Sequence, residues 1–282
     1  MEKKIEPSRD VVITLAISST KGGVGKTTCA INLAFSCAKR GWKTLLVDAD
    51  PQGSVGYSLS PSAQAHNGLY EIITGGTPFG QVALNTKLET LKIVMAGKIP
   101  SSELSKWCAS LQDGSILVPF INNAAQEGYD LIVVDTPSGM HGPTEGILRN
   151  STHVLVPQQC EPLALRSLML TVDFLNQLQT EKDSACSLLG VVLTMADQNL
   201  AESKQIVDEI KQLLPSELVC QAILPRDPAV VYASMKGMPL GLLRGDAPPP
   251  IAIIFDQLAA ELETKLGLPR SKQNDEYVSL VV

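Results

Sequence analysis

No stretch of this chain is apolar for long enough to cross a bilayer. The longest apolar runs, Ile251 to Phe255 and Leu131 to Val134, fall far short of the roughly 20 residues that a spanning helix needs. The first ten residues, Met1 to Asp10, contain no apolar core of a secretory signal, so the expected location is the cytoplasm. Six cysteines (Cys29, Cys37, Cys108, Cys160, Cys186, Cys220) stand apart, with neither a CxxC pair nor a histidine cluster beside them. That spacing excludes a zinc ribbon and a disulfide scaffold and leaves reduced thiols. Positive charge is also short: 23 Lys and Arg against 29 Asp and Glu give a net charge of −6. No global basic field draws the chain onto nucleic acid or an anionic membrane. Such binding would have to come from a local patch, or from a patch doubled by dimerisation. Internal repeats and low-complexity blocks are absent as well.

What is present is an ordinary globular composition, 44% hydrophobic and 18% charged over 282 residues, enough for one large α/β domain or two small ones. Short apolar runs alternate with amphipathic stretches, which signals a mostly parallel sheet with helices on both faces. Val11 to Ser18, Thr44 to Val47, Leu131 to Val134, Val154 to Val156, Leu188 to Leu193 and Val219 to Leu224 read as strands. Helices are predicted over Thr27 to Arg40 (stopped by Gly41), from Pro162 past Leu175, over Glu202 to Leu214, and over Ile251 to Leu266. Residues 55–110, rich in Ser, Gly and Thr, read as an insertion of helices and loops rather than a separate domain.

Between the first strand and the first helix lies Ser18 to Thr28, and its chemistry is that of a phosphate cradle. Gly22, Gly23 and Gly25 let backbone N–H groups turn towards phosphate oxygens without a Cβ in the way. The helix N-terminus adds its dipole and free donors. Lys26 can neutralise the β- and γ-phosphates, and the Thr27 hydroxyl can ligate Mg²⁺. The ordinary spacing G-x-x-x-x-G-K-[ST] would place glycine at position 20, where this chain has Thr20, followed by a second lysine, Lys21.

The run Lys21-Gly22-Gly23-Val24-Gly25-Lys26-Thr27-Thr28 resembles the deviant Walker A motif of the ParA/MinD-type ATPases. Further segments are similar to that family in order: Leu45 to Ser54, Tyr129 to Ser138, Val156 to Leu165, Leu193-Thr194-Met195, Ile223 to Asp227, and Ala233 to Pro239. The resemblance covers about residues 11–265. It implies a single-domain P-loop NTPase over 11–268, between a flexible N-terminus (1–10) and a flexible tail (269–282).

The acids fit that expectation. Asp48 and Asp50 lie two apart at a strand end, so an extended chain would send both side chains to one face. In a parallel sheet that end lines the ligand crevice. Such a pair can hold Mg²⁺ through water and orient a water for in-line attack. The resemblance gives the attacking water to Asp50, support of the lysines or the magnesium shell to Asp48, and a water-mediated magnesium contact to Asp135. It places Met195, Pro225, Arg226 and Asp227 around the bound nucleotide. It also implies that Lys21 reaches across a homodimer interface to the partner's ATP.

Several relatives share such a loop, and fold alone does not choose among them. Iron–sulfur reductases would need a cysteine shortly after the Walker B region, and Thr136 to Arg149 has none. Membrane-associated division ATPases end in a basic amphipathic helix, whereas this chain ends acidic then apolar, Asn274 to Val282. A tandem arsenite-pump ATPase would need two loops. The resemblance therefore favours a short partition or positioning ATPase without an N-terminal helix-turn-helix, working at the nucleoid with an activating partner and no membrane. A MinD-like cargo-positioning ATPase that does not act on DNA and an ATP-dependent small-molecule synthetase stand as alternatives. Arg226, Lys236, Arg244, Arg270 and Lys272 are the candidate contacts to non-specific DNA.

Overall fold

A computed structural model describes residues 12–59, 66–180, 186–243 and 248–268. The expected flexible ends, and Arg244, Arg270 and Lys272 among the candidate DNA contacts, lie outside the described residues.

Among the described residues seven strands form one sheet: β1 (Ile13–Ile17), β2 (Thr44–Asp48), β3 (Leu84–Asn85), β4 (Leu91–Val94), β5 (Leu131–Asp135), β6 (His153–Gln159) and β7 (Ser187–Thr194). Their order is β3-β4-β2-β5-β1-β6-β7. Every pairing is parallel except that of the short edge strand β3 with β4. The inner strands read as unbroken apolar runs because both of their faces are covered. In β5, Leu131 and Val133 enter one core while Ile132 and Val134 enter the other.

Helices α1 (Lys26–Lys39), α2 (Ser54–Leu59), α10 (Pro228–Lys236) and α11 (Pro250–Lys265) lie on the first face. The opposite face carries α5 (Leu104–Gln112), α6 (Leu117–Gln126), α7 (Pro143–Arg149), α8 (Ala164–Thr180) and α9 (Ala201–Leu213). Two short helices, α3 (Leu69–Gly75) and α4 (Phe79–Val82), precede the edge strands. α1 is buried along most of its length between the sheet and α11. Past its end, Arg40 and the Trp42 indole both donate to Glu263 of α11. Gly146 lets α7 approach α5 closely, since a Cβ there would stand 2.3 Å from the Leu111 carbonyl oxygen.

This order decides where a ligand can bind. After β1 the chain moves to β2 on one side, and after β5 it crosses to β6 on the other side of β1. The connections diverge at the C-terminal ends of β1 and its neighbours, which opens a crevice there.

Three expectations need correction. Residues 55–110 are not only helices and loops: Leu91–Val94 pairs with β2 and extends the central sheet. Four residues are too few for a period to show in the sequence. Val219 to Leu224 runs beside β7 through two isolated bridges, Val191 with Val219 and Ala196 with Pro225, rather than as a strand. Between them the Glu261 carboxylate takes the Gln221 and Ala222 N–H groups, which pulls the chain out of the ladder. The helix expected from Pro162 begins at Ala164, after Leu163 in a left-handed conformation (φ 74°).

Candidate functional site

The loop between β1 and α1 opens into that crevice. Gly23 (φ 75°) and Gly25 (φ 93°) occupy left-handed conformations that a side chain would resist. Val24 is buried, and its carbonyl accepts from the Thr194 hydroxyl at the end of β7 (2.9 Å). The Met195 methyl lies 3.8 Å from where a Cβ on Gly25 would stand. Lys26 starts α1, is 7% exposed, and folds its ammonium back over the loop. Its Nζ donates to Ser138 Oγ (3.0 Å) and to the Lys21 carbonyl (3.5 Å). Burial pushes the Lys26 pKa down, opposed by the charges of Asp135 and Asp50. Thr28 follows it in the first turn.

The acid at the end of β5 faces the same helix start. Thr27 Oγ1 donates to Asp135 Oδ2 (2.7 Å), while Asp135 Oδ1 is buried with no hydrogen-bond partner among the described residues. Burial raises the Asp135 pKa to about 7, with Asp50 adding to the shift and the Thr27 bond opposing it. A buried carboxylate oxygen without a donor, beside a threonine hydroxyl at a phosphate loop, is the donor set that a magnesium ion takes together with phosphate oxygens and water. Among the described residues there is no group of three or more His, Cys, Asp or Glu side chains able to hold a metal.

Asp50 and Asp48 part company. Asp50 is half-buried just beyond β2 and accepts from the Gln52 N–H (2.9 Å). Asp48, expected to share its face, is fully buried and accepts from the backbone N–H groups of Asp50 (3.1 Å) and Val55 (3.0 Å). β2 ends at Asp48, so the extended geometry that would align the two side chains stops one residue too early. Asp48 ties down the turn that carries Asp50 and the start of α2. Burial, followed by the Asp135 charge, raises its pKa well above the carboxylate range.

Lys21 is exposed, and its ammonium pairs with the Glu161 carboxylate in the same chain. Thr20, at the position where the ordinary motif has glycine, donates to the Ser167 carbonyl of α8 (3.2 Å) and shares a hydrogen bond with the Thr171 hydroxyl (3.2 Å). Of the residues expected around the nucleotide, Met195 has a left-handed backbone (φ 51°), and Arg226 Nη2 approaches its sulfur (3.7 Å). Pro225 bridges to Ala196. Asp227 caps α10, accepting from the Ala229 N–H (2.8 Å). Lys236 ends that helix with its ammonium 5.4 Å from the Tyr232 ring centre.

Ser138, Thr194 and Glu161 touch the loop yet carry no signal of their own in the sequence. Each sits inside a segment that resembles the family, and only the crossing of β5, β6 and β7 past β1 brings them to the loop.

A family model described as an AAA domain matches residues 12–188. The chain is 30% identical over 254 residues to the chromosome-partitioning ATPase Soj of Treponema pallidum, covering 90% of this chain and 98% of that protein. It is also 30% identical over 233 residues to the chromosome partitioning protein ParA of Caulobacter vibrioides, covering 80% and 85%. Among solved structures, the ATP complex of Cyanothece McdA(D38A) superposes with a TM-score of 0.72 at 20% identity, over 93% of this chain and 99% of that one. Pyrococcus furiosus cell division ATPase MinD gives 0.68 at 21%, over 89% and 98%. These last two likenesses establish the fold. With the phosphate loop, its threonine–aspartate pair and the matches to Soj and ParA along most of the sequence, the chain belongs to the ParA/MinD-type P-loop ATPases.

Proposed function

We propose that this ATPase is a partition-type switch, in which ATP closes two copies of the chain on one another and the closed pair binds DNA without sequence preference. An activating partner then stimulates hydrolysis, and the pair releases DNA at the nucleoid, in the cytoplasm. The observation that carries the nucleotide chemistry is Thr27 bonded to Asp135, whose second oxygen lacks a donor among the described residues. The relatives named for chromosome partitioning support the rest.

In this reading residues 11–268 form the ATPase unit. The N–H groups of Lys21 to Thr28 cradle the phosphates, and Lys26 turns from Ser138 to the β- and γ-phosphate oxygens. Mg²⁺, when bound, neutralises charge on those oxygens. Thr27 and Asp135 would hold it, Asp135 through water. Asp50, half-buried on the turn just beyond β2, orients the water that attacks the γ-phosphorus. Met195, Pro225 and Arg226 flank the base. Asp227 supports them by fixing the start of α10. Lys21 reaches the partner's phosphates and offsets charge as the bond to the leaving group breaks. DNA contact falls to Arg226 and Lys236, the two candidate contacts that lie among the described residues.

Lys21→Ala tests the central claim. It should abolish both turnover and the rise in light scattering when ATP is added. Dimerisation equal to that of the wild type would sink the cross-interface role. Retention on DNA that ignored nucleotide state, or that did not weaken steeply with salt, would argue against the DNA step.

A further inference from the structure

We infer that Glu161 is a positioning residue for Lys21: it holds the lysine on its own subunit until a second subunit presents a stronger anion. This rests on the reading that Lys21 acts across a dimer. The two residues are 140 positions apart in the chain and meet through their charged ends. Glu161 stands on the turn after β6, held there by the Cys160 N–H bonded to the Thr194 carbonyl (3.0 Å). The start of the phosphate loop is strapped to the helix that follows this turn, because the Thr20 hydroxyl reaches the Ser167 carbonyl and Thr171 of α8. Two links thus join the loop to one β6–α8 segment: Thr20 fixes the backbone, and the ion pair fixes the side chain.

The turn shows a further sign of constraint. Leu163, two residues beyond Glu161, is held at φ 74° without being glycine or asparagine, and its side chain is 73% exposed. Backbone in that region is held against its preference by its surroundings. Because Thr20 anchors the main chain, Lys21 can leave Glu161 by side-chain rotation alone, which makes the transfer fast and reversible.

Energetics set the size of the effect. Lys21 and Glu161 keep 44% and 31% side-chain exposure, so solvent screens the pair. An exposed pair of this kind shifts an equilibrium about two- to fivefold. ATP-driven dimerisation breaks two such pairs, which makes about four- to 25-fold in the dimer dissociation constant. The triphosphate carries several charges against the single carboxylate, so the exchange favours the dimer only once ATP is bound.

The full chain provides the test, with two readouts. Lys21 acylation by a succinimidyl ester, followed by peptide mass spectrometry in the nucleotide-free protein, reports whether the lysine is held, with the other lysines as internal references. Glu161→Gln should raise Lys21 labelling about two- to fivefold, Glu161→Asp should restore it, and 0.5 M KCl should erase the difference. With a non-hydrolysable ATP analogue, sedimentation should show that Glu161→Gln dimerises at about four- to 25-fold lower protein concentration. Unchanged labelling, or dimerisation that is unchanged or weaker in Glu161→Gln, overturns the inference. If Lys21→Ala still abolishes dimerisation, the cross-interface role survives that result. If Lys21→Ala dimerises normally, that role fails, and the inference fails with it.

Discussion

Replacing Asp135 with asparagine should make the nucleotide-free protein more stable at pH 8, although it removes the acid proposed to hold the magnesium shell. Asp135 is completely buried, and one of its carboxylate oxygens has no donor among the described residues. Burial lifts its pKa from 3.8 to about 7. Between those two values the folded state holds a proton that the unfolded state has lost. The free energy of unfolding therefore falls as pH rises through this window. The group's favourable contribution is complete below pH 3.8 and is gone above about pH 7. The full gap corresponds to about 4 kcal/mol at roughly 1.4 kcal/mol per pH unit. Relaxation and water entry should leave about 2 kcal/mol, or a shift of roughly 3–4 °C in Tm for a chain of this size. Asparagine has nearly the same shape and no charge to desolvate. The assay is a series of thermal melts in EDTA from pH 5 to pH 8.5, with Mg-ATP added in a parallel series. Asp135→Asn should melt higher than the wild type at pH 8, lose more than half of that advantage by pH 5, and lose the stabilisation by Mg-ATP. Some pH slope should remain in the variant, because buried Asp48 is shifted in the same direction. A variant no more stable than the wild type at pH 8, or equally advantaged at pH 5, would refute the argument.

Two further predictions concern the scaffold. Gly146→Ala would place a Cβ 2.3 Å from the Leu111 carbonyl oxygen and 2.4 Å from Gln112 Cα; α5 and α7 must separate, costing about 2–3 kcal/mol by denaturant titration with the fold retained. Asp227→Ala removes the cap of α10 and should cost about 1 kcal/mol in the same titration, with a weaker affinity for ATP if α10 helps to seat the base.

Legibility in the sequence followed length and covalent proximity. The phosphate loop was readable because strand, glycines, Lys26 and Thr27 are contiguous, and the local backbone alone dictates what those residues can do. The inner strands were readable because a buried parallel strand is apolar on both faces. Strand β4 was not, since Leu91-Lys92-Ile93-Val94 is as short as a loop and carries a lysine. Asp48 misled for a related reason: spacing two apart implies a shared face only while the chain stays extended, and β2 stops at Asp48 itself. Val219 to Leu224 has the composition of a strand, but its ladder is broken by Glu261, 39 residues or more further along the chain.

The sequence by itself determined the sheet class, the nucleotide loop and the three acids near it, because each depends on residues close together in the chain or on a period that neighbours enforce. Only the tertiary structure decided what those residues face. It turned Asp48 inward as a cap, left Asp135 Oδ1 without a donor among the described residues, and set Lys26 against Ser138. It also gave Thr20 and Lys21 their partners on the β6–α8 segment. Those partners lie more than 100 residues away from the loop, and the order in which β5, β1, β6 and β7 lie side by side is what brings them there.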